Sequence, residues 1–177
     1  FESCEAINNK SRFLEECLKY DIPVPFGRKV KSRKEALEAY QELENEGFEA
    51  LYAKYSRSAS GEGIHSFQFR TPNALENFAL FLDKEETQNN FEGSNLRIDG
   101  AIKFNESPAI VFWNTPNELQ IVSTNYQILG YKKRSDMNPT VHRGSIGQLS
   151  SSDFSRIYPS IEQLKKLLDK HNAYGPG

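Results

Sequence analysis

The segment from Tyr52 to Ile64 combines residue types and spacing suited to binding an anion. Lys54 ends a short apolar stretch, and the residues after it are rich in serine and glycine. Glycine lets backbone N–H groups approach an anion closely, and serine hydroxyls add further donors. A lysine fixed at a strand end beside such a loop therefore suits a polyphosphate. The candidate residues are Lys54, Ser56, Ser58, Ser60, Gly61 and Gly63.

Two common phosphate-binding motifs do not match this segment. It is not a Walker A loop, because no Gly-Lys-Ser/Thr opens a helix after it. It is not a dinucleotide-binding fingerprint either, because a strand rather than a helix follows the glycines. The loop by itself also fits a flexible hairpin tip with a solvent-exposed lysine nearby, so both interpretations stay open at this point.

Hydrophobic periodicity and turn residues predict an α+β chain around this loop. A helix is predicted from Asn8 to Asp21, and Ser32 with Glu35 forms a capping-box pattern that starts a second helix. Residues 132–152 are rich in Ser, Gly, Lys and Arg and are expected to form a long loop. The last helix is predicted to begin near Pro159. The predicted strands are 48–55, 64–69, 96–104, 109–114 and 119–127, the first two forming a hairpin around the serine and glycine loop.

Composition excludes several classes of partner. The net charge of −2 gives no overall basic field for nucleic acid or an anionic membrane surface, and no apolar run approaches the roughly 20 residues of a membrane helix. Cys4 and Cys17 match neither a metal spacing nor a disulfide framework, so reduced thiols and a cytoplasmic location are expected. His65, His142 and His171 lie too far apart in sequence to form a ligand pattern.

Short motifs along almost the whole chain occur in the order found in the ATP-grasp enzymes, and the sequence resembles that family. The motifs are an Asn9-Lys10 helix start, the Ile22-Pro23-Val24-Pro25 turn, the strand with Lys54 and its glycine loop, Leu96-Arg97-Ile98-Asp99-Gly100-Ala101-Ile102 at the place of the adenine hinge, Gln127 with Lys132 as a Gln-x4-Lys element, and Ala173-Tyr174-Gly175-Pro176-Gly177 as the Gly-Pro turn. Each motif is loose, and their order and spacing carry the resemblance.

The resemblance implies that ATP is the cofactor and which residues bind it. Lys10 and Lys54 would contact the phosphates, and residues 56–63 would form a mobile lid over them. Further nucleotide contacts are implied for Asp99, Gly100, Ile102, Gln127 and Lys132, the first three bordering the adenine. The family usually has Glu where Asp99 stands and a bulkier residue at Gly100.

A second group of candidates lies in the basic stretch that follows. His142-Arg143-Gly144 is similar to an element that binds the second substrate in several peptide-forming members of the family. The competing interpretation is a basic surface loop, because a single histidine in a loop is weak support for acid–base chemistry.

The resemblance also implies an α+β, ATP-grasp-like domain organisation. Residues 1–22 would form a leading helix, residues 23–95 a small α/β subdomain with a lid hairpin, and residues 96–177 the start of a larger subdomain with a mostly antiparallel sheet flanked by helices. Family members hold Mg²⁺ with a Glu-x-Asn pattern after the Gly-Pro turn. Because the sequence ends at Gly177, no metal ligand is expected within it, and Mg²⁺ is expected only in a full-length parent protein.

The leading functional hypothesis is a fragment of an ATP-dependent ligase. Such an enzyme activates a carboxylate as an acyl phosphate, which an amine or a similar nucleophile then attacks. Carbamoyl-phosphate-synthase-like and peptide-ligase-like members both remain open, and the chain alone is expected to be inactive. The alternative is a non-catalytic nucleotide-binding or interaction domain that keeps the fold. A small-molecule kinase or a structural α+β module is a third possibility.

Overall fold

A computed structural model describes residues 8–57, 63–91, 96–102, 107–130 and 141–176 of the chain. The elements in chain order are α1 (Lys10–Lys19), β1 (Gly27–Val30), α2 (Arg33–Asn45), β2 (Ala50–Tyr55), β3 (Ile64–Gln68), α3 (Ala74–Thr87), β4 (Leu96–Gly100), β5 (Pro108–Asn114), β6 (Leu119–Gly130), β7 (Val141–Ile146), α4 (Ser151–Lys170) and β8 (Gly175–Pro176). Helices combined with antiparallel sheets confirm the predicted α+β class.

The chain divides into two compact units. Unit A comprises residues 25–103 and 131–140, and unit B comprises residues 1–24, 104–130 and 141–177. Each unit contains one four-stranded sheet.

The sheet of unit A has the strand order β1-β4-β2-β3, with every neighbouring pair antiparallel. Helices α2 and α3 supply buried side chains to one apolar core with the strands, including Tyr40, Leu43, Phe78 and Leu82. Tyr40 and Phe78 stack with ring centroids 5.2 Å apart. Strand β4 lies inside the sheet and all five of its residues are buried, so it forms the rigid centre of the unit.

The second helix has the capping pattern that the sequence predicts. The Ser32 hydroxyl accepts from the backbone N–H of Glu35 at 3.2 Å, and the Glu35 carboxylate accepts from the N–H of Lys31 at 2.8 Å. After the helix ends, Gly47 adopts a φ of +83°, which glycine reaches without the steric penalty of a side chain. These two signals fix the helix that covers β1, β2 and β4.

The sheet of unit B has the strand order β7-β6-β5-β8, again antiparallel throughout. Helices α1 and α4 contribute Cys17, Leu167 and Leu168 to its buried core, against which Phe13, Phe112 and other partly buried residues pack. None of the helices among the described residues has the length and the apolar character needed to cross a membrane.

Two predictions from sequence are wrong in unit B. Helix α4 begins at Ser151 instead of near Pro159, because the Ser150 hydroxyl caps it by accepting from the N–H of Asp153 at 3.1 Å. Pro159 lies inside the helix, although it removes one backbone donor there. The stretch predicted as a loop contains strand β7, which pairs with the long strand β6.

The division of the chain also differs from the three segments expected from sequence. Strand β4 pairs with β1 and β2 and therefore belongs to the sheet of unit A, whereas residues 96–177 were expected to form one subdomain. The helix within residues 1–22 belongs to unit B, since it packs against the core of that unit.

Candidate functional site

Strands β2 and β4 of unit A present alternate residues to the two faces of their sheet. Leu51, Ala53 and Ile98 belong to the apolar core formed with the helices. The residues between them therefore point to the opposite face. Among the described residues of β1, β2 and β4, that face carries three cationic side chains, one carboxylate and one tyrosine. We call it the polar sheet face, and it consists of Lys29, Tyr52, Lys54, Arg97 and Asp99.

The register of the strands brings two cations of this face together. Lys54 on β2 lies directly opposite Arg97 on β4, and like charges in such positions repel. Asp99 lies between them: its Oδ1 is 2.6 Å from Arg97 Nε, and its Oδ2 is 3.1 Å from Lys54 Nζ. Because Asp99 is fully buried, its carboxylate depends on both cations to offset the cost of removing it from water.

Arg97 is held from a second side by the neighbouring strand. Its Nη2 donates to the Gly27 carbonyl at 3.0 Å, and only 5% of the residue is exposed. A Cβ on Gly27 would lie 2.3 Å from Asp99 Oδ1 and 2.3 Å from the Ile98 carbonyl oxygen. Glycine at this position is therefore required for the close approach of β1 to the carboxylate.

Lys54 is the more accessible partner of Asp99. Its side chain is 24% exposed, and its ammonium lies 5.3 Å from the centroid of the Tyr52 ring. Burial raises the pKa of the Tyr52 hydroxyl, so this ring stays neutral under the cation. Because the Lys54 ammonium is partly exposed on this face, it offers donors to an anion, and a phosphate group is the kind of anion that suits it.

The two ends of the serine and glycine loop are held by the hairpin. Ser56 is buried at the end of β2, and the N–H of Tyr55 donates to the Gly63 carbonyl at 3.0 Å. Gly63 has a φ of +68°, a conformation that favours glycine. The loop therefore leaves and rejoins the sheet next to Lys54.

A buried polar cluster fixes the same strand end from the core side. The Tyr55 hydroxyl lies 2.7 Å from each carboxylate oxygen of Glu85 and donates to that group, and Asn90 Nδ2 donates to it at 2.9 Å. Glu85 is 1% exposed. Burial and the bond to Glu85 raise the pKa of Tyr55. Tyr55 stays protonated and links β2 to α3.

Of the site residues predicted in unit A, the structure brings Lys54 and Asp99 together on the polar sheet face. Gly100 lies on the other face, where a Cβ would be 2.4 Å from Cε1 of the Phe48 ring. Phe48 thus fills the space that a larger side chain at position 100 would take. Ile102 follows β4 and is 56% exposed. Ser58, Ser60 and Gly61 lie outside the described residues.

The remaining predicted residues belong to unit B or lie outside the described parts. Lys10 is the first residue of α1, and Gln127 lies on β6, where Ser107 Oγ is 3.3 Å from its Oε1. The backbone of His142, Arg143 and Gly144 forms part of β7, which replaces the predicted loop, and their side chains are not among the described ones. Lys132 lies in residues 131–140, outside the described part. The roles of these residues stay predictions.

Sequence reasoning missed Arg97 and Lys29 as members of the candidate site. The signal that could have found Arg97 is the alternation Leu-Arg-Ile-Asp-Gly of β4, which places Arg97 and Asp99 on one face of a strand. Lys29 gives no such signal, since only the pairing of β1 with β4 puts it opposite Arg97.

Unit B contains a cavity of a different kind. A space of about 390 Å³ lies among α1, α4 and β5, and its lining is mostly apolar, with Phe13, Cys17, Ile110 and Phe112 among its residues. Such a lining does not suit a triphosphate. Within the described residues, no three His, Cys, Asp or Glu side chains are grouped so that they could hold a metal ion.

Comparison with known proteins gives one local sequence match to a curated protein. No family model matches the chain. A stretch of 75 residues is 35% identical to a protein named aldo-keto reductase str7 from Strobilurus tenacellus. This match covers 38% of the chain and 22% of that protein, so it assigns no family.

Solved structures resemble almost the whole chain at low sequence identity. D-alanyl-alanine synthetase A from Vibrio cholerae has a TM-score of 0.68 and 13% identity over 99% of the chain. A biotin carboxylase–β,γ-ATP complex from Campylobacter jejuni has a TM-score of 0.69 and 12% identity over 99% of the chain. A carboxyaminoimidazole ribonucleotide synthase from Aspergillus clavatus, complexed with ATP, has a TM-score of 0.65 and 15% identity over 98% of it. The chain spans 50%, 37% and 40% of these proteins, respectively.

Proposed function

Since the chain has the ATP-grasp fold, we propose that it supplies nucleotide-binding elements of an ATP-dependent ligase that joins a carboxylate to an amine or a similar nucleophile. The polar sheet face of unit A carries this proposal. It presents the Lys54 ammonium at the surface, beside the ends of a serine and glycine loop and above a buried carboxylate that fixes its position. The fold neighbours include ligases solved with ATP or ADP, which supports ATP as the ligand.

The proposed chemistry requires charge stabilisation and positioning more than covalent catalysis. A substrate carboxylate attacks the γ-phosphorus of ATP, ADP leaves, and the acyl phosphate reacts with the nucleophile and releases inorganic phosphate. Negative charge on the transferring group is stabilised by fixed cations in the site. Lys54 is suited to that role because its position is set by the sheet rather than by a flexible loop. Mg²⁺ would supply further neutralisation of the phosphates when bound.

The test is the affinity for a slowly hydrolysed ATP analogue, ATPγS, in the Lys54→Met variant. Removing one charge-assisted phosphate contact is expected to weaken binding by about 1–3 kcal/mol. Lys34→Met is the matched control, because Lys34 is 87% exposed on α2, a helix that packs on the opposite face of the sheet. Calorimetry that gives equal affinities for the two variants would sink the assignment of Lys54.

Turnover separates the ligase from the alternative function. ADP release that depends on an added carboxylate, with a hydroxamate formed when hydroxylamine is the nucleophile, is expected of the ligase. This assay uses the natural full-length protein. If that protein binds ATPγS but releases no ADP and forms no hydroxamate, the chain belongs to a non-catalytic nucleotide-binding domain. The cytoplasmic location inferred from the cysteines stays part of the proposal.

A further inference from the structure

Arg97 has two fixed anchors in unit A, and neither of them is a ligand. Its Nε contacts Asp99 Oδ1 at 2.6 Å, and its Nη2 donates to the Gly27 carbonyl at 3.0 Å. With 5% of the residue exposed, the guanidinium is buried between β1 and β4. A planar group bonded on two edges has little freedom to move. Arg97 therefore does not reach a bound nucleotide directly.

Arg97 determines which oxygen of the Asp99 carboxylate is available to Lys54. The carboxylate has two oxygens, and Arg97 occupies the first, which leaves Oδ2 facing Lys54 Nζ at 3.1 Å. Oδ2 has no hydrogen-bond partner among the described residues, so its contact with Lys54 is an ion pair. One of the two cations is thus buried and immobile, while the other is partly exposed and held by a single oxygen. This division keeps the Lys54 ammonium near the surface.

We propose that Arg97 is a positioning residue for Lys54, acting through the buried carboxylate of Asp99. By sharing the carboxylate, Arg97 prevents Lys54 from pairing with both oxygens and withdrawing into the sheet. The ammonium then keeps donors for an incoming phosphate while Asp99 fixes its location. This inference rests on the proposed nucleotide-binding function of Lys54, but the position of the ammonium can be tested without a nucleotide.

A purely structural role for Arg97 makes the opposite prediction for Lys54. If Arg97 only stabilises the sheet, its loss loosens β4 and exposes Lys54 further. If Arg97 competes for Asp99, its loss lets Asp99 draw Lys54 inward and shields the amine. Loss of Asp99 itself releases Lys54 in either case. Whether Lys54 becomes more or less accessible in the Arg97 variant therefore distinguishes the two roles.

The experiment measures the acetylation rate of Lys54 by a limiting amount of acetic anhydride, with Lys34 in the same protein as the internal reference and mass spectrometry as the readout. In nucleotide-free protein, Arg97→Gln is expected to slow Lys54 acetylation about threefold to tenfold, and Asp99→Asn to accelerate it by a similar factor, the scale of one charge-assisted contact. Arg97→Lys restores a cation beside Oδ1 and is expected to return the rate most of the way to that of the wild type. Circular dichroism identifies any variant that has not folded. If Arg97→Gln is unfolded, the acetylation rates of Lys54 in Arg97→Lys and in the wild type are compared instead.

A second arm adds ATPγS to the wild type and to Arg97→Gln. ATPγS is expected to protect Lys54 in the wild type, and the concentration needed is expected to rise about tenfold in the variant. Faster acetylation of Lys54 in folded Arg97→Gln overturns the positioning role. A third outcome separates the two proposals. If the nucleotide-free proteins show the expected acetylation rates but ATPγS does not protect Lys54 in the wild type, the proposed function of Lys54 is wrong. The arrangement of Lys54, Arg97 and Asp99 is still supported in that case.

Discussion

Asp99 is fully buried on β4, and its two oxygens contact two different cations. Each of the three residues depends on the others, because a buried charge without a partner is strongly destabilising. Gly27 completes the arrangement, since any side chain there would collide with Asp99 Oδ1. The Asp99 group is therefore a fixed arrangement of charges in which Arg97 is buried and the Lys54 ammonium is partly exposed.

A second ion cluster, in unit B, gives a prediction about pH. Glu16 lies 2.5 Å from Lys19, 3.3 Å from Lys170 and 3.5 Å from His171 Nε2. The hydrogen bond from Lys19, together with that from Lys170 and the charges of both, lowers the pKa of Glu16 from 4.5 to about 2. Because the pKa is lower in the folded state, the cluster stabilises the protein fully above about pH 4.5, and this stabilisation is lost as the pH falls towards 2.

The Glu16→Gln variant tests this cluster by thermal unfolding at several pH values. At pH 7 the midpoint temperature is expected to fall by roughly 2–4 °C, the effect of about 1 kcal/mol in a chain of this size whose Lys partners are partly screened by water. Near pH 2 to 3 the difference from the wild type is expected to shrink. Glu162→Gln, an exposed carboxylate on α4, serves as the control. A difference that stays constant down to pH 2 is incompatible with this account.

The elements are positioned by local signals as well as by burial. Ser32 and Ser150 each accept a hydrogen bond from the N–H three residues later, and each begins a helix that packs on a sheet. A serine cap satisfies one of the backbone donors that every helix start leaves open. The starts of α2 and α4 are therefore set by single side chains.

The Ser150→Ala variant tests the cap of α4. The free energy of unfolding is expected to fall by about 1 kcal/mol, because the N–H of Asp153 loses its acceptor. Ser155→Ala is the control, since Ser155 lies inside the same helix and its hydroxyl donates to the Ser151 carbonyl instead of accepting from a backbone N–H at the helix start. Urea unfolding that gives equal losses for the two variants would contradict the cap.

Sequence reasoning recovers most elements of this fold and only part of its site. The capping pattern at Ser32 and the hairpin around Lys54 are readable because their signals are local. Strand β7 is missed, since its polar residues owe their strand conformation to pairing with β6. The alternation within β4 places Arg97 beside Asp99, but its position opposite Lys54 follows only from the register of β4 against β2, which no single stretch of sequence encodes.

At the scale of the whole molecule, the chain forms two α+β units, and in sequence the segments of unit A alternate with those of unit B. The chain covers half or less of each solved structure compared with it. Unit A carries the charges that suit a polyphosphate, and the cavity in unit B is apolar. We propose that ATP binds on the polar sheet face of unit A.

Hydrogen exchange with and without ATPγS tests that claim most directly. Peptides that cover residues 50–57 and 96–100 are expected to exchange more slowly with the nucleotide, since bound phosphates restrict the strand ends and the start of the loop. The peptide covering 74–87 is the internal control, because α3 packs on the opposite face of the same sheet. Slower exchange of residues 50–57 and 96–100, reduced in the Lys54→Met variant, is the predicted result. Unchanged exchange in these two peptides at a concentration of ATPγS that saturates binding would contradict the account.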